Sequence, residues 1–156
     1  MFEQENTTIE GMENTHSKGL GSYPIDSVLI RSENRTVFEI VRRINQETFQ
    51  LSPDFQRDYV WTEHQQSRLI ESCLMRIPLP VFYLAETEEG KIIVVDGQQR
   101  LTTFLRYLSN QFALQGLVKE SSLNNKKFDD LSPKLQNRLE DTQLTLYLID
   151  TRSSSL

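Results

Sequence analysis

Chemistry in this chain is concentrated in two short runs, Phe55-Gln56-Arg57-Asp58-Tyr59-Val60-Trp61 and Asp96-Gly97-Gln98-Gln99-Arg100. The second follows the apolar segment 92–95 and leads into a helical pattern, so it marks a strand-to-helix junction. In an open α/β sheet such a junction lies beyond the carboxyl end of a strand, where helix N–H groups and the helix dipole favour an anion. Gly97 lets the backbone turn tightly and approach a phosphate without an intervening Cβ. Gln98 and Gln99 offer amide donors, Arg100 offers a planar fork that matches phosphate oxygens, and Thr102 and Thr103 add hydroxyls in the first turn. The same residues admit a structural reading, because Asp-Gly is a common turn pair, Asp96 suits a helix cap and Arg100 suits an ion pair with it.

The first run places aromatic side chains beside a Gln-Arg pair in a stretch without helical or strand periodicity. Aromatic faces stack on bases while an arginine reaches phosphates. Phe55, Gln56, Arg57 and Tyr59 therefore join the candidates for nucleotide binding, whereas Trp61 reads as core packing beneath a loop. Two Gln-Arg pairs on separate loops favour the functional reading over the structural one.

These runs need elements to hold them. Thr36 and Glu39 make a capping box, and Val37, Ile40, Val41 and Ile44 recur at helical spacing, which predicts a first helix. Phe49-Gln50-Leu51 predicts a short strand stopped by Pro53. A second helix is predicted to open at Thr62 with Gln65 completing the box, to bury Leu69, Ile70, Cys73, Leu74 and Ile77, and to end before Pro78 and Pro80. Residues 81–84 and 91–95 predict two strands across a Glu-rich turn ending at Gly90. The second is so apolar that it is expected in the centre of the sheet, buried on both faces. A third helix is predicted over about 100–109 with Leu101, Phe104, Leu105 and Leu108 inward, then a short strand at 112–114 and a polar loop over 119–127. Ser132-Pro133 opens a fourth helix through Leu135 and Leu139, and 144–150 alternates as a last strand.

Composition bounds the function. One core is what 156 residues with 37% hydrophobic content supply. Twenty-two acidic against seventeen basic residues give a net charge of −5, which repels a nucleic-acid backbone. The basic pairs Arg42-Arg43 and Lys126-Lys127 read as solvated faces. Cys73 is the only cysteine, and His16 and His64 are far apart, so neither a disulfide nor a cysteine-histidine metal cluster is expected. The start lacks the pattern of a secretory signal and the chain lacks a bilayer-spanning apolar run, so residence in the cytoplasm, with no membrane partner, is expected. Residues 1–22 read as a disordered acidic arm, 23–150 as the folded domain and 151–156 as a polar tail.

The run DFQRDYVWTEHQQSRLIESCLMRIPLPVFYLAE, followed after a spacer by GKIIVVDGQQRLTTFLRYLSNQFAL, resembles the DUF262 family, the N-terminal domain of GmrSD-type modification-dependent restriction enzymes. The similarity spans roughly residues 37–150, and more distantly it extends to ParB and sulfiredoxin. The resemblance implies an α/β (α+β) fold with a small mixed sheet and flanking helices. It implies a nucleotide site in which Asp96, Gly97, Gln98, Gln99 and Arg100 form the DGQQR motif and Gln56 and Arg57 converge on it. It further implies a nucleoside triphosphate with Mg2+, whose protein ligands it does not assign; Glu71 and Asp96 are candidates by residue type alone. Where hydrolysis follows, Arg57 and Arg100 would stabilise phosphoryl charge and Asp96 or Gln99 would orient water.

Two departures qualify the transfer. The family's C-terminal helical region and a separate HNH nuclease domain are not visible, and the serine-rich ending reads as a truncation or frame change. A cysteine needed for sulfiredoxin chemistry is replaced by Gln99. The expectation is thus a nucleotide-binding, possible triphosphate-hydrolysing sensor of a phage-defence system, not a nuclease by itself. An HNH nuclease protein, and modified phage DNA reached through it, are the implied partners. The alternatives are a non-catalytic ParB-like adaptor for DNA or protein, and an inactive truncated fragment.

Overall fold

Thr36 turns the chain from strand into helix. Its backbone is extended and its hydroxyl accepts from the Glu39 N–H at 3.1 Å, which starts α1 (Val37–Asn45) at the end of β1 (Leu29–Thr36). These elements belong to a computed structural model that describes residues 29–51 and 61–150. The proposed arm, the polar tail and the run from Phe55 to Val60 lie outside the described residues.

Only half of the expected capping box forms at Thr36. The Glu39 carboxylate turns to Arg35 at 2.5 Å and Arg43 at 3.3 Å, completing an ion ladder with Glu33 and Arg31. That ladder accompanies β1, a strand the sequence pattern does not reveal. Its side chains are largely polar, and all eight residues pair antiparallel with β5 (Gln143–Asp150).

The other strands are β2 (Phe49–Gln50), β3 (Phe82–Glu86) and β4 (Ile92–Asp96). They form a mixed sheet in the order β1-β5-β3-β4-β2, with β5/β3 and β4/β2 parallel and the other pairs antiparallel. This corrects the expectation for the apolar strand. β3 holds the centre, and β4 buries only Val94, leaving Val95 56% exposed, because helices cover one face of the sheet.

Phe82 and Leu84 of β3 and Leu144, Leu146 and Leu148 of β5 alternate onto the covered face. Val37, Ile40 and Val41 of α1 meet them, with Leu69, Ile70, Cys73 and Leu74 from α2 (Glu63–Leu74), Leu101, Phe104 and Tyr107 from α3 (Gln98–Leu108), and Leu139 from α4 (Pro133–Glu140). Thr62 and Gln65 form the full capping box of α2. That helix stops at Leu74, so Ile77 falls beyond it and is 45% exposed rather than buried. Segment 112–114 is not a strand. Phe112 and Leu114 are buried in a loop, where the Leu114 N–H donates to the Lys126 carbonyl at 3.0 Å and the Leu114 carbonyl accepts the Asn125 N–H at 2.6 Å. The loop over 119–127 contains one 3-10 turn, Ser121–Leu123, which buries Leu123.

Candidate functional site

The junction of β4 with α3 is built around a glycine. Gly97 is the N-cap of α3 with φ 105°, a left-handed conformation that L side chains rarely adopt. A Cβ there would lie 2.4 Å from Cδ2 of Phe82. Leu101 donates the first intrahelical bond, to the Gly97 carbonyl at 3.0 Å, so the amides of residues 98–100 precede the helical ladder. Asp96 does not cap the helix; its side chain is 66% exposed at the strand end.

Arg100 points back across the sheet. Its Nη1 donates to the Pro80 carbonyl at 2.5 Å and its Nη2 to the Val81 carbonyl at 3.2 Å, while the guanidinium carbon lies 3.9 Å from the centre of the Phe82 ring. Asp96 is 3.9 Å away and solvated, so that ion pair is weak. Burial pulls the guanidinium below its ordinary pKa, and Asp96 opposes the shift. Two of the five donors of Arg100 thus fasten the approach to β3 onto the start of α3.

Gln99 reaches the other way. Its Oε1 accepts the Trp61 N–H at 3.1 Å, and the Trp61 carbonyl accepts from Nε2 of Gln66 at 3.2 Å. Arg106 in turn donates to Oε1 of Gln66 at 2.5 Å. Helices α2 and α3 therefore grip both backbone groups of Trp61, the last residue of the first run. Trp61 is half-buried against the core, as its packing role predicts, and it also borders the junction.

An opening of about 250 Å3 lies there, lined by Trp61, Val95, Asp96, Gly97, Gln98, Gln99 and Arg100. Gln98 is buried, and Thr103 is fully buried with its hydroxyl donating to the Gln99 carbonyl at 2.8 Å. Among the described residues the Thr102 hydroxyl is buried without a partner, and neither threonine lines the opening. Glu71 is remote from it, accepting the Glu120 N–H at 3.0 Å beside a different depression. Phe55, Gln56, Arg57 and Tyr59 lie outside the described residues. Sequence reasoning missed Gln66 and Arg106. Gln99, Thr103 and Arg106 fall at i, i+4 and i+7, a polar stripe on α3 that the search for apolar spacing passed over.

The family model for the N-terminal domain of the GmrSD restriction endonuclease matches residues 37–155. The chain belongs to that family. The match runs from the start of α1 through β5 and so contains the whole junction. An uncharacterized protein of Methanocaldococcus jannaschii is 29% identical over 119 residues, covering 60% of this chain and 20% of the relative. The chain thus spans about a fifth of the length of the curated relative it matches. No solved structure matches. Among the described residues of this GmrSD N-terminal domain, no helix is long and apolar enough to cross a membrane, and no group of three or more potential ligands is placed to hold a metal ion.

Proposed function

We propose that this GmrSD N-terminal domain binds a nucleoside triphosphate at the junction of β4 and α3, as the sensor part of a modification-dependent restriction or phage-defence system in the cytoplasm. The observation that carries the reading is the Gln99–Trp61 hydrogen bond, which ties the two sequence runs together at one opening. Gly97 and the amides that start α3 suit phosphate oxygens. The volume of about 250 Å3 suits a phosphate chain rather than a whole nucleotide, which leaves the base to Phe55 and Tyr59 of the first run.

Asp96 would repel a bare triphosphate. A single exposed carboxylate does fit Mg2+, which commonly arrives with the phosphates and takes one or two carboxylates from the protein. That ion would shield phosphate charge. In hydrolysis, Asp96 and Gln99 would orient water, while Arg57 and the donors of Arg100 not held by Pro80 and Val81 would meet phosphoryl charge. An HNH nuclease carried by another protein is the proposed partner, with modified phage DNA reached through it.

A thermal-shift screen of the four ribonucleoside triphosphates, with and without Mg2+, tests this directly. A saturable rise in melting temperature that needs Mg2+, and that is lost in Asp96→Ala, is expected. No shift with any nucleotide sinks the reading. Steeply salt-dependent DNA binding in its place points to the adaptor.

A further inference from the structure

A cavity of about 610 Å3, open to solvent, lies away from that junction, between the end of α2 and α4. Among the described residues three cations line it, Arg76, Lys134 and Arg138, with Asp141 as the one carboxylate. Among the described residues none of the three makes an ion pair. Arg138 is fixed by Nη1 donating to the Leu74 carbonyl at 3.2 Å, and its buried Nε has no partner among the described residues.

Arg76 and Lys134, both exposed, each stand against a local preference. Arg76 follows α2 with φ 63°, in a helix-ending turn whose N–H bonds run from Arg76 to Cys73 at 3.0 Å and from Ile77 to Ser72 at 2.9 Å. Glycine is the residue that such a position favours. Lys134 sits in the first turn of α4, where the helix dipole disfavours positive charge. Lys134 and Arg138 are four apart on one helix face, so they repel each other. Helix stability therefore explains none of the three placements except the C-terminal position of Arg138.

We propose that this cavity is an anion site for a small phosphate ester of at least two negative charges, its apolar part resting on Ile77 and Pro78. The dianion would neutralise Lys134 and Arg76 and engage the Arg138 guanidinium, relieving the dipole penalty at Lys134 and the repulsion between Lys134 and Arg138. The site is independent of the junction, and it stands or falls without the triphosphate reading.

Amide NMR titration with inorganic phosphate, against sodium chloride at matched ionic strength, tests it. Saturable shifts over residues 76–78 and 134–143 are expected. Arg76→Gly and Lys134→Glu each remove a cation while satisfying the local preference, so both variants should melt at or above the parent temperature. Each should bind phosphate roughly tenfold more weakly or worse, the loss of one charge-assisted contact. Absence of saturable shifts at the cavity, shifts confined to 96–100, or unchanged affinity in both variants overturns the site. Should either variant melt lower, Lys134→Gln supplies the same comparison with the helix charge merely neutralised.

Discussion

Gly97 meets two demands that no other residue type satisfies together. Its φ of 105° excludes ordinary L side chains, and the Phe82 ring occupies the space a Cβ would need. The ring cannot withdraw, because it is fully buried and the Arg100 guanidinium lies across it. Gly97→Ala should therefore lose about 2–4 kcal/mol of stability from combined backbone strain and overpacking, read as a lower urea midpoint with an unchanged slope. Nucleotide binding should fall with it, since α3 could not start where it does. Arg100 behaves as a fastener as much as a ligand. Lysine in its place keeps the charge but loses the fork that holds Pro80 and Val81, so Arg100→Lys should cost about 1–2 kcal/mol in the same denaturation experiment.

At the scale of elements, the grip of α2 and α3 on Trp61 determines where the first run ends relative to the second. Gln66 is buried and links the Trp61 carbonyl to Arg106. Gln66→Leu preserves most of the volume but leaves that carbonyl and a guanidinium unpaired. A loss of about 1–3 kcal/mol is expected, with weaker triphosphate binding although no residue of the opening has changed. Unaltered nucleotide affinity in a folded Gln66→Leu protein would separate the grip from the site. The helices were legible in the sequence because caps and apolar stripes are local: Thr62 with Gln65, the Ser132-Pro133 start, and the α1 stripe all appear where spacing predicts. β1 was not legible. It depends on pairing with β5, more than a hundred residues away in sequence, and on the Arg31–Glu33–Arg35–Glu39 ladder, which reads along the chain as ordinary surface charge. The same reason hid the true position of β4, whose apolar composition says nothing about which neighbours flank it. At the candidate site the motif positions were legible, but the direction of Arg100 and the bond from Gln99 to Trp61 depend on tertiary contacts, not on spacing.

The described helices pack on one face of the sheet, and the side chains of Cys73 and Tyr107 end in the core between them. Burial pushes the Cys73 thiol up to about 12 from its ordinary 9.0. Burial, reinforced by Asp130, raises the Tyr107 hydroxyl above its ordinary 10.0 while it donates to the Lys126 carbonyl at 3.1 Å. Both groups are acids whose folded pKa exceeds the unfolded one, so at neutral pH they are protonated in both states and leave stability unchanged. Above about pH 9 the unfolded chain begins to release the Cys73 proton while the folded chain retains it, and from about pH 10 Tyr107 follows. The unfolded state then binds fewer protons, and stability falls as pH rises, by at most about 1.4 kcal/mol per pH unit for each group. Urea midpoints measured from pH 8 to pH 11 should therefore decline on the alkaline side. The decline should be shallower in Cys73→Ala and in Tyr107→Phe, whatever those variants lose at pH 8. Identical slopes in all three proteins would mean that neither group is held protonated by the core.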